Sequence, residues 1–311
     1  MTLSQTNSSA LPSSPFDNPY ADVILRSSDN VDFPMLKINL IQSSPLFESM
    51  FSLPQPTNPE SVDEQKNGLP LVPLTETGDV LDVLLRFCIP RTPPQLTDLR
   101  GISQVAEGAK KYQIEWASET ARQALGAFAE KEPVRVYAIA CRFGFEEEAR
   151  LAARRTLLQP LLTTLSCDVE ELDSLSAQKF RRLLKYQETC KDHVLKRVSS
   201  YPWLSSFTTK IWESSCCGRQ VAYIDSLNRK WNVQAWWEQY MRRLVERLKA
   251  DTDERVISAE DVLLAFLRSS TTPCHTCVSL APVSLTFFAQ KMAAEVRTAI
   301  DQVSTTVKIL P

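Results

Sequence analysis

One stretch, Asp22 to Phe51, constrains the fold of this chain more than any other. Asp22-Val23-Ile24-Leu25-Arg26-Ser27 alternates as a strand does, and the polar Ser27 to Asn30 after it reads as a turn. Val31 to Lys37 can return as a second strand, with Pro34 marking an edge or a bulge because it has no N–H to give to a ladder. Ile38, Leu40 and Ile41 then open a short apolar helix that stops at Ser43-Ser44. Ser44 is placed to cap a second helix with Pro45 at its first position, where the missing N–H costs nothing. Leu46, Phe47, Met50 and Phe51 form the apolar stripe of that helix.

Beyond this unit the pattern continues as helices around a small sheet. Pro54 to Asn67 reads as a polar loop, and Leu69 to Leu74 as a short strand whose two prolines fit an edge better than a central position. Thr77 can cap a helix carrying Leu81, Leu84, Leu85 and Cys88, and Leu99, Ile102, Ala106 and Ala109 mark another. Tyr112, Ile114 and Trp116 lead into a further helix through Phe128. This order predicts an α+β domain with a small sheet covered by helices. Residues 1–16, rich in Ser, Thr and Pro, read as a disordered tail, and the domain itself as residues 17–130.

From Glu132 onward every pattern is helical, so an all-α C-terminal region is expected, with a helical extension over 131–200 and a second helical region over 201–311. Gly144 suits the residue that ends one helix, and Glu146-Glu147-Glu148 suits the first turn of the next. Those three carboxylates would repel phosphate and argue against a DNA-reading helix-turn-helix. Val169 to Ser199 gives another pair of helices, with a basic run at Lys179, Arg181, Arg182 and Lys185 that reads as a solvated face. Trp231 to Leu248 reads as one long amphipathic helix. Ser258 caps a helix through Phe266, and Ser284 caps the last one, through Ile300.

Composition excludes several function classes. The 311 residues carry a formal net charge of −2, so no global field would attract nucleic acid or an anionic membrane. Only 7 residues are Gly, far below the roughly 7% of an average chain, and no glycine-rich phosphate loop is present. No apolar run approaches the ~18 residues of a membrane span. The 8 cysteines, scattered through apolar patterns, suggest reduced thiols in a cytoplasmic or nuclear protein.

The ordered blocks "ADVILRSSD", "SSPLFESMFSLPQP", "GLPLVPL" and "AKKYQIEWA", covering most of Ala21 to Phe128, resemble a BTB/POZ domain of the kind that fungi carry in large families. The segment "EPVRVYAIACRFGFEEEARLAARRTL" resembles the helical hairpin that comes after the BTB domain in those proteins. Where BTB domains typically carry a His-Lys pair, this chain has Leu36-Lys37. Asp22 matches the acidic position of the first strand, while the position of its basic partner matches the neutral Asn39. The resemblance implies a protein–protein interaction module that binds itself or another protein. It also implies an alternative, a substrate adaptor of a cullin-type ubiquitin ligase. Candidate interface residues are Asp22, Val23, Leu25, Ile38, Leu40, Ile41 and Phe47, some packing inside and some against a partner.

The chain shows little that points to catalysis. It has 2 histidines, His193 and His275, and neither sits in a nucleophile motif. No enzyme activity, small-molecule substrate, nucleic acid or membrane is expected. Cys274-His275-Thr276-Cys277 has a spacing that lets two thiolates reach one zinc. A four-ligand structural site could add Cys216 and either Cys217 or Cys190, and in the resembling family the region near Cys216 often looks like a second CxxC. Buried reduced thiols are the other reading of the same cysteines.

Overall fold

The computed structural model describes residues 15–53, 65–90, 94–200, 204, 207, 210–213, 220–224, 228–269 and 274–306. The chain divides into two compact units, residues 1–131 with 142–148 and residues 132–141 with 149–311. The fold is mixed α+β, with a small sheet near the N-terminus and a mostly helical C-terminal region.

In the first unit, β1 (Val23–Arg26) and β2 (Asp32–Met35) form the expected hairpin. They lead into α1 (Lys37–Ser43) and α2 (Pro45–Ser52). The chain then adds β3 (Gln65–Lys66), β4 (Leu69–Pro73), α3 (Gly78–Arg86), α4 (Leu99–Tyr112) and α5 (Glu115–Gly126). Strand order is β2-β1-β4-β3, with β1 antiparallel to β2 and parallel to β4. Val23, Ile24 and Leu25 are all buried, as expected of an inner strand covered on both faces. Pro34 does sit on an edge strand, paired with Ile24.

The expectation for β4 is corrected, because β4 lies inside the sheet between β1 and β3. Neighbouring N–H groups of a strand point to opposite sides. The Leu74 N–H donates to Arg26 O at 2.7 Å, so Pro73 faces the other side. There β3 pairs only with Leu69 and Pro70, and no ladder bond is lost at Pro73. The polar loop expected over Pro54 to Asn67 ends in the short β3 instead.

Two local readings of this unit also change. Thr77 makes no side-chain cap to α3; Asp29 supplies it, its Oδ1 accepting from Gly78 N–H at 2.8 Å and from Ser27 Oγ at 2.5 Å. The Ser27 hydroxyl and then the Gly78 N–H hold the Asp29 carboxyl below its usual range. A side chain at Gly78 would press on Val31, its Cβ falling 2.8 Å from Cγ2. Phe16, placed in the tail by its sequence, is 1% exposed and meets the Phe33 ring edge-on at 5.1 Å. Residues 1–14 lie outside the described residues.

The hairpin of α6 (Pro133–Phe143) and α7 (Glu146–Arg155) turns at Gly144, whose φ of +81° is the left-handed conformation that favours glycine. Its residues are divided between the two units. The second unit continues through α8 (Leu161–Leu165), the 24-residue α9 (Ala177–Ser200), β5 (Gln220–Ile224), β6 (Lys230–Gln234), α10 (Ala235–Ala250), α11 (Ala259–Ser269) and α12 (His275–Thr306). A single 3-10 turn at Glu170–Leu172 stands where the first of two helices was expected. Lys179, read as part of a solvated run, instead donates from Nζ to the Cys141 carbonyl at 2.7 Å, at the end of α6.

This region is not all helical. β5 and β6 pair antiparallel, from Gln220 opposite Gln234 to Ile224 opposite Lys230. Trp231 and Val233 therefore belong to a strand, and the helix expected from Trp231 begins at Ala235. Nor does Ser284 cap the last helix; α12 already runs from His275 and passes through Pro282. By length and composition α12 could cross a bilayer. Here its Ala281, Leu285, Phe288 and Met292 are buried within the unit.

α9 and α12 pack antiparallel. Tyr186 OH meets Ser304 Oγ at 3.0 Å, and Arg197 Nε meets Glu295 Oε2 at 2.6 Å, eleven residues along one helix and nine back along the other. Around Phe288 gather Trp212 at 5.0 Å, Phe207 at 6.2 Å and Trp237 at 6.3 Å between ring centroids.

Candidate functional site

The surface suggested by the sequence is built at the start of α1. Its first N–H groups need acceptors, and no side chain at the capping position Leu36 provides one. Asp22, just before β1, does so across the hairpin: its Oδ1 accepts from Lys37 N–H at 2.6 Å. The Lys37 ammonium in turn lies 5.7 Å from the Phe51 ring centroid, which ties α1 to α2. Asp22 is therefore an exposed carboxylate with a structural role.

The seven candidate interface residues separate sharply. Val23, Leu25 and Leu40 are fully buried, and Phe47 is 1% exposed, stacked on Tyr112 at 5.3 Å. These four are the members of the set that pack inside their own unit, Val23 and Leu25 from an inner strand, Leu40 from α1 and Phe47 from α2. Ile38 is 53% exposed and Ile41 half-buried. Three positions apart, they share one face of α1. Exposed Leu46 lies in the first turn of α2 and exposed Leu53 just after its end, and Tyr20, 82% exposed, precedes β1. The sequence did not single out Tyr20 and Leu53, because exposure at chain ends of elements leaves no periodic signal.

The charged groups of this unit are arranged for structure. Asp32 receives Arg26 Nε at 2.6 Å and Lys66 Nζ at 2.5 Å. The Arg26 hydrogen bond, with Lys66 adding to it, holds the Asp32 carboxyl below its usual range against the opposing effect of burial. Burial would raise Glu76, but Lys111 and Tyr112 both donate to it and leave it lowered. On the opposite sign, burial and the Glu76 charge push the Tyr112 hydroxyl upward.

Among the described residues, Cys190 does not join Cys274 and Cys277 in the way one version of the zinc reading required. Cys274 and Cys277 stand at the start of α12, with Cys277 N–H donating to Cys274 Sγ at 3.4 Å. Cys190 is fully buried in α9. The pairings Tyr186–Ser304 and Arg197–Glu295 set it level with about residue 300 of α12. At 1.5 Å per residue that is roughly 35 Å from Cys277, beyond the reach of a shared ion. Cys216 and Cys217 lie outside the described residues. Among the described residues no group of three or more His, Cys, Asp or Glu converges as a metal site would. Burial pushes the Cys88 and Cys190 thiols up to about 12. His193 and His275 are both exposed, and neither lines the cavity beside Pro45 or the one between α10 and α11.

One groove in the first unit went unread in the sequence. A cavity of about 410 Å³ opens beside Pro45, Ala109, Lys110 and Phe145. Its walls come from α2, α4, α5 and the residues on either side of Gly144, so no single stretch of sequence carries its pattern. In comparisons with family models and with curated proteins, nothing matches this chain.

Proposed function

We propose that this chain is a non-enzymatic protein–protein interaction module of the BTB/POZ kind, and that its first unit associates with a second copy of itself. The observation that carries the reading is the face of α1. A seven-residue helix leaves Ile38 half in solvent and Ile41 half-buried, and turns only Leu40 fully inward. Two β-branched apolar side chains on one short helix face form a patch that a symmetric copy can cover with the same residues. The resemblance of Ala21 to Phe128 to BTB domains supports the same reading, since such domains self-associate. Raised thiols and carboxylates engaged with cations fit a scaffold better than a reacting centre.

The test is the light-scattering mass of the full-length protein, beside the variant I38R/I41R. A dimeric mass for the natural protein and a monomeric mass for the variant, with unchanged far-UV circular dichroism, supports the reading. A monomer at all concentrations overturns self-association. If that monomer retains a cullin in affinity capture, the ubiquitin-ligase adaptor replaces it.

A further inference from the structure

The second unit contains a cavity whose walls combine aromatic side chains with arginines. It lies between α10 and α11 and encloses about 480 Å³, within the range of small-ligand sites. Trp236, Tyr240, Arg243 and Arg247 succeed one another at helical spacing on α10, so one face of that helix supplies aromatic rings first and guanidinium groups after. Asp261, Leu264 and Arg268 do the same from α11.

The charges in this cavity do not balance. Arg247 is held by Asp261, with Nη1 to Oδ2 at 2.7 Å. Arg243 and Arg268 pair with no carboxylate among the described residues, whereas Arg154, Arg197 and Arg297 of the same unit each have such a partner. Three arginines against one aspartate leave a surplus of two positive charges facing one concavity. Beneath them the Tyr240 hydroxyl is buried, with no hydrogen-bond partner among the described residues. Trp236, 5% exposed and fixed edge-on against Phe266 at 5.5 Å, gives the cavity a rigid apolar wall.

We propose that the α10–α11 cavity binds a small aromatic phosphate monoester, with the phosphate held by Arg243 and Arg268 and the ring resting on the Trp236 and Leu264 side. The phosphate carries close to two negative charges near neutral pH, which matches the surplus. The planar forks of two guanidinium groups suit its oxygens.

Phenyl phosphate is the probe, titrated calorimetrically into the full-length protein at low salt, with inorganic phosphate as comparator. Phenyl phosphate should bind one to one, at least tenfold more tightly than inorganic phosphate. The variant R243Q/R268Q should lose at least tenfold while melting at the natural temperature, since both side chains are exposed. No binding at millimolar phenyl phosphate, equal binding by R243Q/R268Q, or equal affinity for inorganic phosphate would each overturn the assignment.

Discussion

The Ser44 hydroxyl joins two segments 68 residues apart, donating to the Tyr112 carbonyl while accepting from the Phe47 N–H at 3.1 Å. One fully buried side chain thus caps α2 and satisfies the last residue of α4. Ser44→Ala removes the cap and leaves the carbonyl without that donor. The two effects together should cost about 2–3 kcal/mol. Urea unfolding should show a lower midpoint at an unchanged slope; a midpoint equal to that of the natural protein would contradict this dual role.

Asp32 should make the stability depend on pH in a defined direction. Its carboxyl is held below its ordinary value, first by Arg26 and then by Lys66. A group lowered in the folded state contributes above its unfolded pKa, roughly 4, and loses that contribution as pH falls through the folded value. Asp32→Asn should therefore cost ~1–2 kcal/mol at pH 7, a modest figure because solvent reaches Arg26 and Lys66. Below about pH 4 the two proteins should converge. Thermal melts between pH 3 and 7 will show it, and a gap that stays constant would refute the ion-pair account.

Phe288 is the centre of the aromatic cluster in the second unit, fully buried against Trp212, Trp237 and Phe207. Phe288→Ala leaves a cavity in that cluster and should cost about 3–5 kcal/mol. The near-UV circular dichroism of the tryptophans should fall with it. Retention of both the spectrum and the stability would show that the cluster is loosely packed.

The thiols should react in an order set by burial. With Cys88 and Cys190 pushed up to about 12, almost none of either is thiolate at pH 8. Cys274 is half-exposed and should be labelled before Cys88 and Cys190 by a thiol reagent in the native protein. Mass spectrometry of the labelled peptides decides the order, and Cys190 should respond only when urea unfolds α9. Equal rates for Cys190 and Cys274 would contradict the burial described for α9.

Features governed by neighbouring residues were legible in the sequence. The β1–β2 hairpin, the Ser44-Pro45 helix start, the Gly144 turn and the acidic first turn of α7 each rest on chemistry within a few positions. The β5–β6 hairpin was missed for the same reason. Val233, Trp236 and Trp237 fall at i, i+3 and i+4 as on a helical stripe, and only pairing with Gln220–Ile224 makes Trp231 and Val233 part of a strand.

The candidate site divides along the same line. The sequence named a set of apolar residues around α1, and the alternation of a strand could not say which of them a neighbouring element would cover. Packing of β1 between β2 and β4 claimed Val23 and Leu25, α4 claimed Phe47 through Tyr112, and Ile38 was left out. The register of α9 on α12 separated Cys190 from Cys277 by most of a helix.

By itself the sequence determined the α+β opening, the mainly helical character of the C-terminal region, and the absence of glycine-rich phosphate loops, because local propensity and hydrophobic period act over a few residues. Tertiary structure alone decided that Asp29 caps a helix 49 residues away, that β4 lies inside the sheet despite its prolines, and that arginines of α10 and α11 face one cavity. Each depends on which distant surfaces meet, and burial and charge take their meaning only once they do.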